Sequence, residues 1–152
     1  MVYAAIKGCA ATWGTNTSTS GQYTFKRTLA SSSTSPFVSD CEQALNSVWD
    51  PPKGSCNIPA ATKPQQTNVC TELASAGSCS ITACGVPTQT VDCGDARCAA
   101  QSLIQNALTE DGQQTGGSWS MSQGGGAQVA TISVQNATTS PTAPPPSSEA
   151  SL

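Results

Sequence analysis

Two residue types bound what chemistry this chain can perform. It carries eight cysteines, Cys9, Cys41, Cys56, Cys70, Cys79, Cys84, Cys93 and Cys98, and no histidine. Without imidazole, the commonest general base and the commonest metal ligand are both missing. Cysteine alone can hold zinc through short Cys-x-x-Cys-like knuckles. Cys79/Cys84 and Cys93/Cys98 are each separated by four residues, so a four-thiolate site is one reading. An even count of spaced cysteines in a small, loop-rich chain favours the other, a framework of four intramolecular disulfides. Such frameworks persist only in oxidising compartments, which implies a secreted, extracellular protein.

Nucleophilic chemistry fares no better. A serine nucleophile here would need a lysine base, and none of Lys7, Lys26, Lys53 and Lys63 stands in a Ser-x-x-Lys spacing. Carboxylates cluster at Asp92/Asp95 and Glu110/Asp111. Neighbours in sequence rarely face one another across a cleft, as glycoside hydrolysis requires. Helix capping by Asp92 or Asp95, and an exposed helix end at Glu110-Asp111, explain both pairs. Gly124-Gly125-Gly126 is followed by no lysine and opens no helix, so it reads as a turn and not as a phosphate loop. The expectation is a protein that is not an enzyme and takes no cofactor and no metal.

The elements that would position these residues fall into three zones. In residues 1–30, Val2, Ala4 and Ile6 alternate, and so do Tyr23, Phe25 and Leu29, as half-buried strands do. The polar stretch from Thr15 to Gly21 reads as an exposed loop. A first helix opens at Ser35-Pro36, with Ser39 or Asp40 as a second possible cap. Its stripe is Val38, Cys41, Leu45, Val48 and Trp49, and Pro51-Pro52 ends it. Cys79, Ile81 and Ala83 alternate with Ser80 and Thr82 as a short strand. A second helix starts at Asp92 or Asp95, carries Ala96, Ala99, Ala100, Leu103, Ile104, Ala107 and Leu108 on one stripe, and stops at Gly112. Trp119 and Met121 then alternate into a hairpin whose return face is Ala130, Ile132 and Val134. Trp49 is read as core and Trp119 as at least partly buried in the hairpin. Trp13 is read as packing the base of its polar loop, in preference to an exposed contact with a sugar or partner.

The fold class that follows is α+β: a small disulfide-stapled sandwich, its antiparallel sheet carrying two helices on one face. Residues 1–136 form one globular domain. Residues 137–152, rich in Ser, Thr and Pro, cannot bury a core and read as a disordered or O-glycosylated tail. Asn16-Thr17-Ser18 and Asn136-Ala137-Thr138 fit the acceptor pattern for N-glycans, which marks Asn16 and Asn136 as glycosylation candidates. The formal net charge is −3, and Lys26-Arg27 is the only adjacent cationic pair. Phosphate backbones and anionic membranes need clustered cations, so nucleic acid is not an expected partner. No apolar run reaches the roughly 20 residues of a membrane span. Met1 to Gly8 hold only a short apolar run before Lys7 and do not make a leader. Either a leader is removed ahead of Met1 or the secretion reading fails.

One segment resembles a known family. Cys9, then Ser35-Pro36-Phe37-Val38-Ser39-Asp40-Cys41, then Gly77-Ser78-Cys79, the helix from Asp95 to Leu108, and Gly116-Gly117 before Trp119 are similar to the pattern of fungal secreted cysteine-rich effectors with a killer-toxin-like domain. This chain adds Cys56, Cys70, Cys84, Cys93 and Cys98 to that pattern and lacks a cysteine near Met121. The resemblance implies a secreted, compact α/β sandwich acting on other organisms without catalysis, and it implies no particular functional residues. Hydrophobins also carry eight cysteines, but their adjacent Cys-Cys pairs are absent here. Two functions are therefore expected. The first is a non-catalytic effector or toxin-like protein that recognises a protein or glycan surface of another organism. The alternative is a structural, self-assembling extracellular surface or fibre glycoprotein.

Overall fold

The structure, a computed structural model, describes residues 9, 11–30, 34–48, 56–106, 112–124 and 126–137. The expected strand at Val2, Ala4 and Ile6, the helix residues Trp49, Ala107 and Leu108, the carboxylates Glu110 and Asp111, and the tail beyond Ala137 lie outside the described residues.

Six antiparallel strands form one sheet: β1 (Thr17–Ser20), β2 (Tyr23–Leu29), β3 (Val69–Ala76), β4 (Cys79–Gly85), β5 (Gly117–Gln123) and β6 (Gln128–Asn136). Their order across the sheet is β1-β2-β5-β6-β4-β3. Three hairpins are thus laid side by side, the one last in sequence in the middle. Helix α1 (Val38–Gln43) and its π-helical continuation Ala44–Val48 connect β2 to β3, and α2 (Cys93–Asn106) connects β4 to β5.

Register assigns the two faces. Phe25, Met121, Ala130 and Gly85 stand side by side across β2, β5, β6 and β4, and so do Trp119, Ile132 and Ala83. These are core residues, and Ile81 and Val134 extend the same apolar face. Against it lie Cys41, Ala44 and Leu45 of the first helical segment and Ala96, Ala99, Ala100, Leu103 and Ile104 of α2. Trp13, on a 3-10 turn at Ala11–Gly14, closes one end, its ring edge-on to Phe25 and Trp119 at 5.0 and 5.1 Å. The opposite face is mostly polar: Thr28, Ser118, Ser133 and Thr82 form one rung, and Lys26, Ser120, Thr131 and Cys84 another. The α+β sandwich with both helices on one face follows from this partition.

Four disulfides staple the fold. Cys41–Cys79 ties α1 to β4, Cys9–Cys98 ties the N-terminal segment to α2, Cys56–Cys93 ties a loop to the start of α2, and Cys70–Cys84 crosses from β3 to β4. With every described cysteine oxidised, no thiolate remains for zinc.

Several local expectations are corrected. Thr15 to Gly21 is not all exposed loop: Thr17–Ser20 pairs with β2 as an edge strand, and Ser18 is buried. A run of four hydroxyl residues carries no apolar alternation to announce a strand. Strand β4 is buried at all seven positions, flanked by β6 on one side and β3 on the other. Leu29, expected on the inner face with Phe25, is 45 % exposed at the strand end. Strand β3 has no clean period of two, since its register slips between Glu72 and Ala74. Neither Ser39 nor Asp40 caps α1. Phe37 is the N-cap and supplies no side-chain bond. Asp92 does cap α2, its Oδ1 accepting from the Asp95 N–H at 3.0 Å.

Candidate functional site

Asp40 shows what the Ser-Pro-Phe-Val-Ser-Asp-Cys segment does structurally. Its Oδ2 accepts from the backbone N–H and the hydroxyl of Ser78, at 2.8 and 2.7 Å. Ser78 Oγ accepts in turn from the Phe37 N–H at 2.9 Å. The next residue in each strand of chain is a partner in Cys41–Cys79, so Asp40-Cys41 is fastened to Ser78-Cys79 as a double latch. The two hydrogen bonds hold the Asp40 carboxyl below the usual carboxylate range. Glu42, one residue beyond Cys41, is 6 % exposed and leaves Oε1 without a partner. Burial pushes its carboxyl above the usual range.

Arg27 forms a second cluster over the aromatic end of the core, with its guanidinium 5.7 Å from the Trp119 ring. Nη1 donates to Gly14 O at 3.2 Å and to Ser102 Oγ at 3.0 Å, and Nη2 donates to Asn16 Oδ1 at 3.2 Å. These bonds tie α2 and the Trp13 turn to β2. Burial lowers its pKa. Asn16 is exposed, and Arg27 holds its oxygen while leaving alone the nitrogen that would carry a glycan.

The open polar face of the sheet carries a groove of about 330 Å³. The segment after β2 forms one wall, through Thr34, Ser35 and Pro36. The other comes from Ser118 on β5 and Ser133, Gln135 and Asn136 on β6. Backbone bonds strap the first wall in place: Ala30 N to Gly116 O at 3.1 Å, Thr115 N to Pro36 O at 3.1 Å and Val38 N to Gln113 O at 2.8 Å. Asn136 Nδ2 closes the far end by donating to Thr34 O at 3.1 Å. The close approach depends on two glycines. A Cβ at Gly116 would lie 2.6 Å from Ala30 O, and one at Gly117 2.5 Å from Thr28 O, with Gly117 at φ +142°.

Everything lining the groove is uncharged. Gln135 Nε2 is buried there without a hydrogen-bond partner among the described residues, although buried amides normally have one. The arrangement offers mixed donors and acceptors for recognition of a polar, neutral ligand. Comparison with protein families, curated proteins and solved structures finds no match for this chain. Among the described residues there is no grouping of three or more His, Cys, Asp or Glu that could hold a metal ion, and no helix is long and apolar enough to cross a membrane.

Of the two glycosylation candidates, Asn136 lies on this groove, while Asn16 is exposed beside Arg27; Ser35, Pro36, Gly117 and Val134, read in the sequence only as structural residues, also line it. Asp92 and Asp95 are engaged at a helix start. Ser118, Ser133 and Gln135 carry no motif that marks them in the sequence; only their position opposite the apolar residues of β5 and β6 could have pointed to them.

Proposed function

We propose that this chain is a secreted, non-catalytic recognition protein, an effector or toxin-like module that acts by contact with a surface of another organism. The observation that carries the reading is the uncharged, hydroxyl- and amide-lined groove on the helix-free sheet face. Its walls are fixed by backbone bonds and by a frame with four disulfides, a rigid platform of the kind recognition favours. The disulfides also support secretion, since they persist in oxidising compartments.

The structural, self-assembling reading requires sheet edges that can pair with other copies. Here β1 is four residues long and β3 is interrupted by a register shift, two devices that blunt an edge against addition. The recognition reading is favoured for that reason.

The test is a binding isotherm of the oxidised, fluorescently labelled protein on cells and cell-wall preparations of candidate target organisms, with sedimentation run in parallel. Saturable binding by a monomer is expected, undiminished in folded Glu72→Gln and Asp95→Asn variants. Concentration-dependent filaments would establish the structural reading instead. A folded amide variant that kept its binding but lost biological potency by orders of magnitude would reveal bond-making chemistry.

A further inference from the structure

We infer that the groove between the 34–36 segment and β6 binds a neutral oligosaccharide, an inference that deepens the recognition reading and rests on it. Charge gives the first argument. No Lys, Arg, Asp or Glu lines the groove, so an anionic or cationic ligand would lose its hydration without gaining a counter-charge. A phosphate or an acidic peptide is therefore a poor fit.

Hydrogen-bonding character gives the second. Ser118, Ser133 and Gln135 present groups that both donate and accept, as sugar hydroxyls do. Among the described residues neither serine hydroxyl makes a hydrogen bond and the Gln135 amide nitrogen has no partner. Turning that amide toward a ligand breaks no existing bond. Gln135 is thus a polar group that a ligand hydroxyl would satisfy, and the protein by itself does not.

Shape gives the third. Ala30, which is exposed, supplies apolar surface beside these polar groups, matching the alternation of C–H and O–H on a pyranose ring. The volume of about 330 Å³ lies at the lower end of ligand sites, which begin near about 300 Å³, and suits a short stretch of sugar chain. A peptide added as a strand would need an open sheet edge. The groove instead crosses the end of the two central strands, β5 and β6.

The experiment is a titration of isotopically labelled, oxidised protein, followed by amide NMR. Cellohexaose, chitohexaose, laminarihexaose and mannohexaose serve as neutral probes, with a sulfated heparin hexasaccharide as the anionic control. At least one neutral probe should give saturable shifts at Gly117, Ser118, Ser133 and Gln135. Gln135→Ala and Ser133→Val should each weaken it about tenfold, the net worth of one hydrogen bond, with the spectra themselves reporting that the variants are folded. No shift with any neutral probe, shifts located elsewhere, or equal binding of the heparin fragment would overturn the inference. A Thr138→Ala variant removes the acceptor pattern at Asn136 without touching its bond to Thr34. If neutral probes bound only that variant, the groove would be the seat of the chain's own glycan, and the inference would fall. Groove variants that still bound the target surface undiminished would remove the saccharide site and leave the recognition reading standing. A protein that bound oligosaccharide in the groove but no cell surface would do the reverse.

Discussion

Replacing Gly77 with Ala should destabilise the protein mainly through a residue far away in sequence. Gly77 turns β3 into β4 at φ +52°, and a Cβ there would lie 2.6 Å from Asp40 Cγ and Oδ2. Placing a non-glycine residue in the left-handed region costs about 1 kcal/mol. The collision displaces the Asp40 carboxyl, which then loses both bonds from Ser78. Those bonds are charge-assisted but partly exposed, and together they contribute about 2 kcal/mol. Gly77→Ala alone should therefore cost about 3 kcal/mol and Asp40→Ala about 2 kcal/mol. The double variant should cost about 3 kcal/mol, because the carboxyl can be lost only once. Denaturant unfolding with the disulfides intact measures all three. Additivity of the two single costs to within about 0.5 kcal/mol would refute the latch. Acid provides a second check. The folded state holds the Asp40 carboxyl below its ordinary range, so its contribution is present in full above the unfolded value of about 3.9 and is lost as pH falls through the lower folded value. Asp40→Ala should abolish that part of the acid dependence.

Other perturbations probe other layers. Leu45→Ala and Leu103→Ala, both at fully buried positions, should each cost about 2–5 kcal/mol, and thermal melts matching the parent protein would place these side chains outside the core. Thr115 Oγ1 donates to the Leu103 carbonyl at 2.8 Å in a fully buried setting, so Thr115→Val should cost about 1–3 kcal/mol, measured in urea. Peptide mapping without reductant should recover the four pairs described, and any other pairing contradicts the fold. Removing Cys9–Cys98, which spans 89 residues, should cost about 4.6 kcal/mol against about 3 kcal/mol for Cys70–Cys84, which spans 14.

Legibility in the sequence tracked locality. Helix α2 was readable because its cap, Asp92, and its stripe of small and branched apolar residues sit within one short segment. Strands β5 and β6 were readable because Trp119, Met121, Ala130, Ile132 and Val134 keep a strict period of two. Strand β3 was not, because the slip after Glu72 puts Leu73 and Ala74 both inside and destroys the alternation. Asp40 has the composition of a helix cap, yet its bonds go to Ser78, 38 residues on. The groove was the least legible feature. Alternation marked only the apolar side of β6, at Ala130, Ile132 and Val134; the opposing wall of the groove comes from Thr34, Ser35 and Pro36, and the bond from Asn136 to Thr34 spans 102 residues.

The strand order has a consequence for how the molecule is made. Every cysteine precedes residue 99, so all four bridges can close before β5 and β6 emerge from the ribosome. The outer hairpins, however, have no neighbour to pair with until that last hairpin slots between them. During synthesis the chain can thus be covalently complete while its sheet is still two separate halves. Oxidation is then no proof of a finished molecule: a chain cut after Asn106 keeps every thiol partner and lacks Trp119, Met121, Ile132 and Val134, the middle of its interior. Such a fragment would be cross-linked, open and adhesive, which makes arrival of the final hairpin the step on which a closed interior depends.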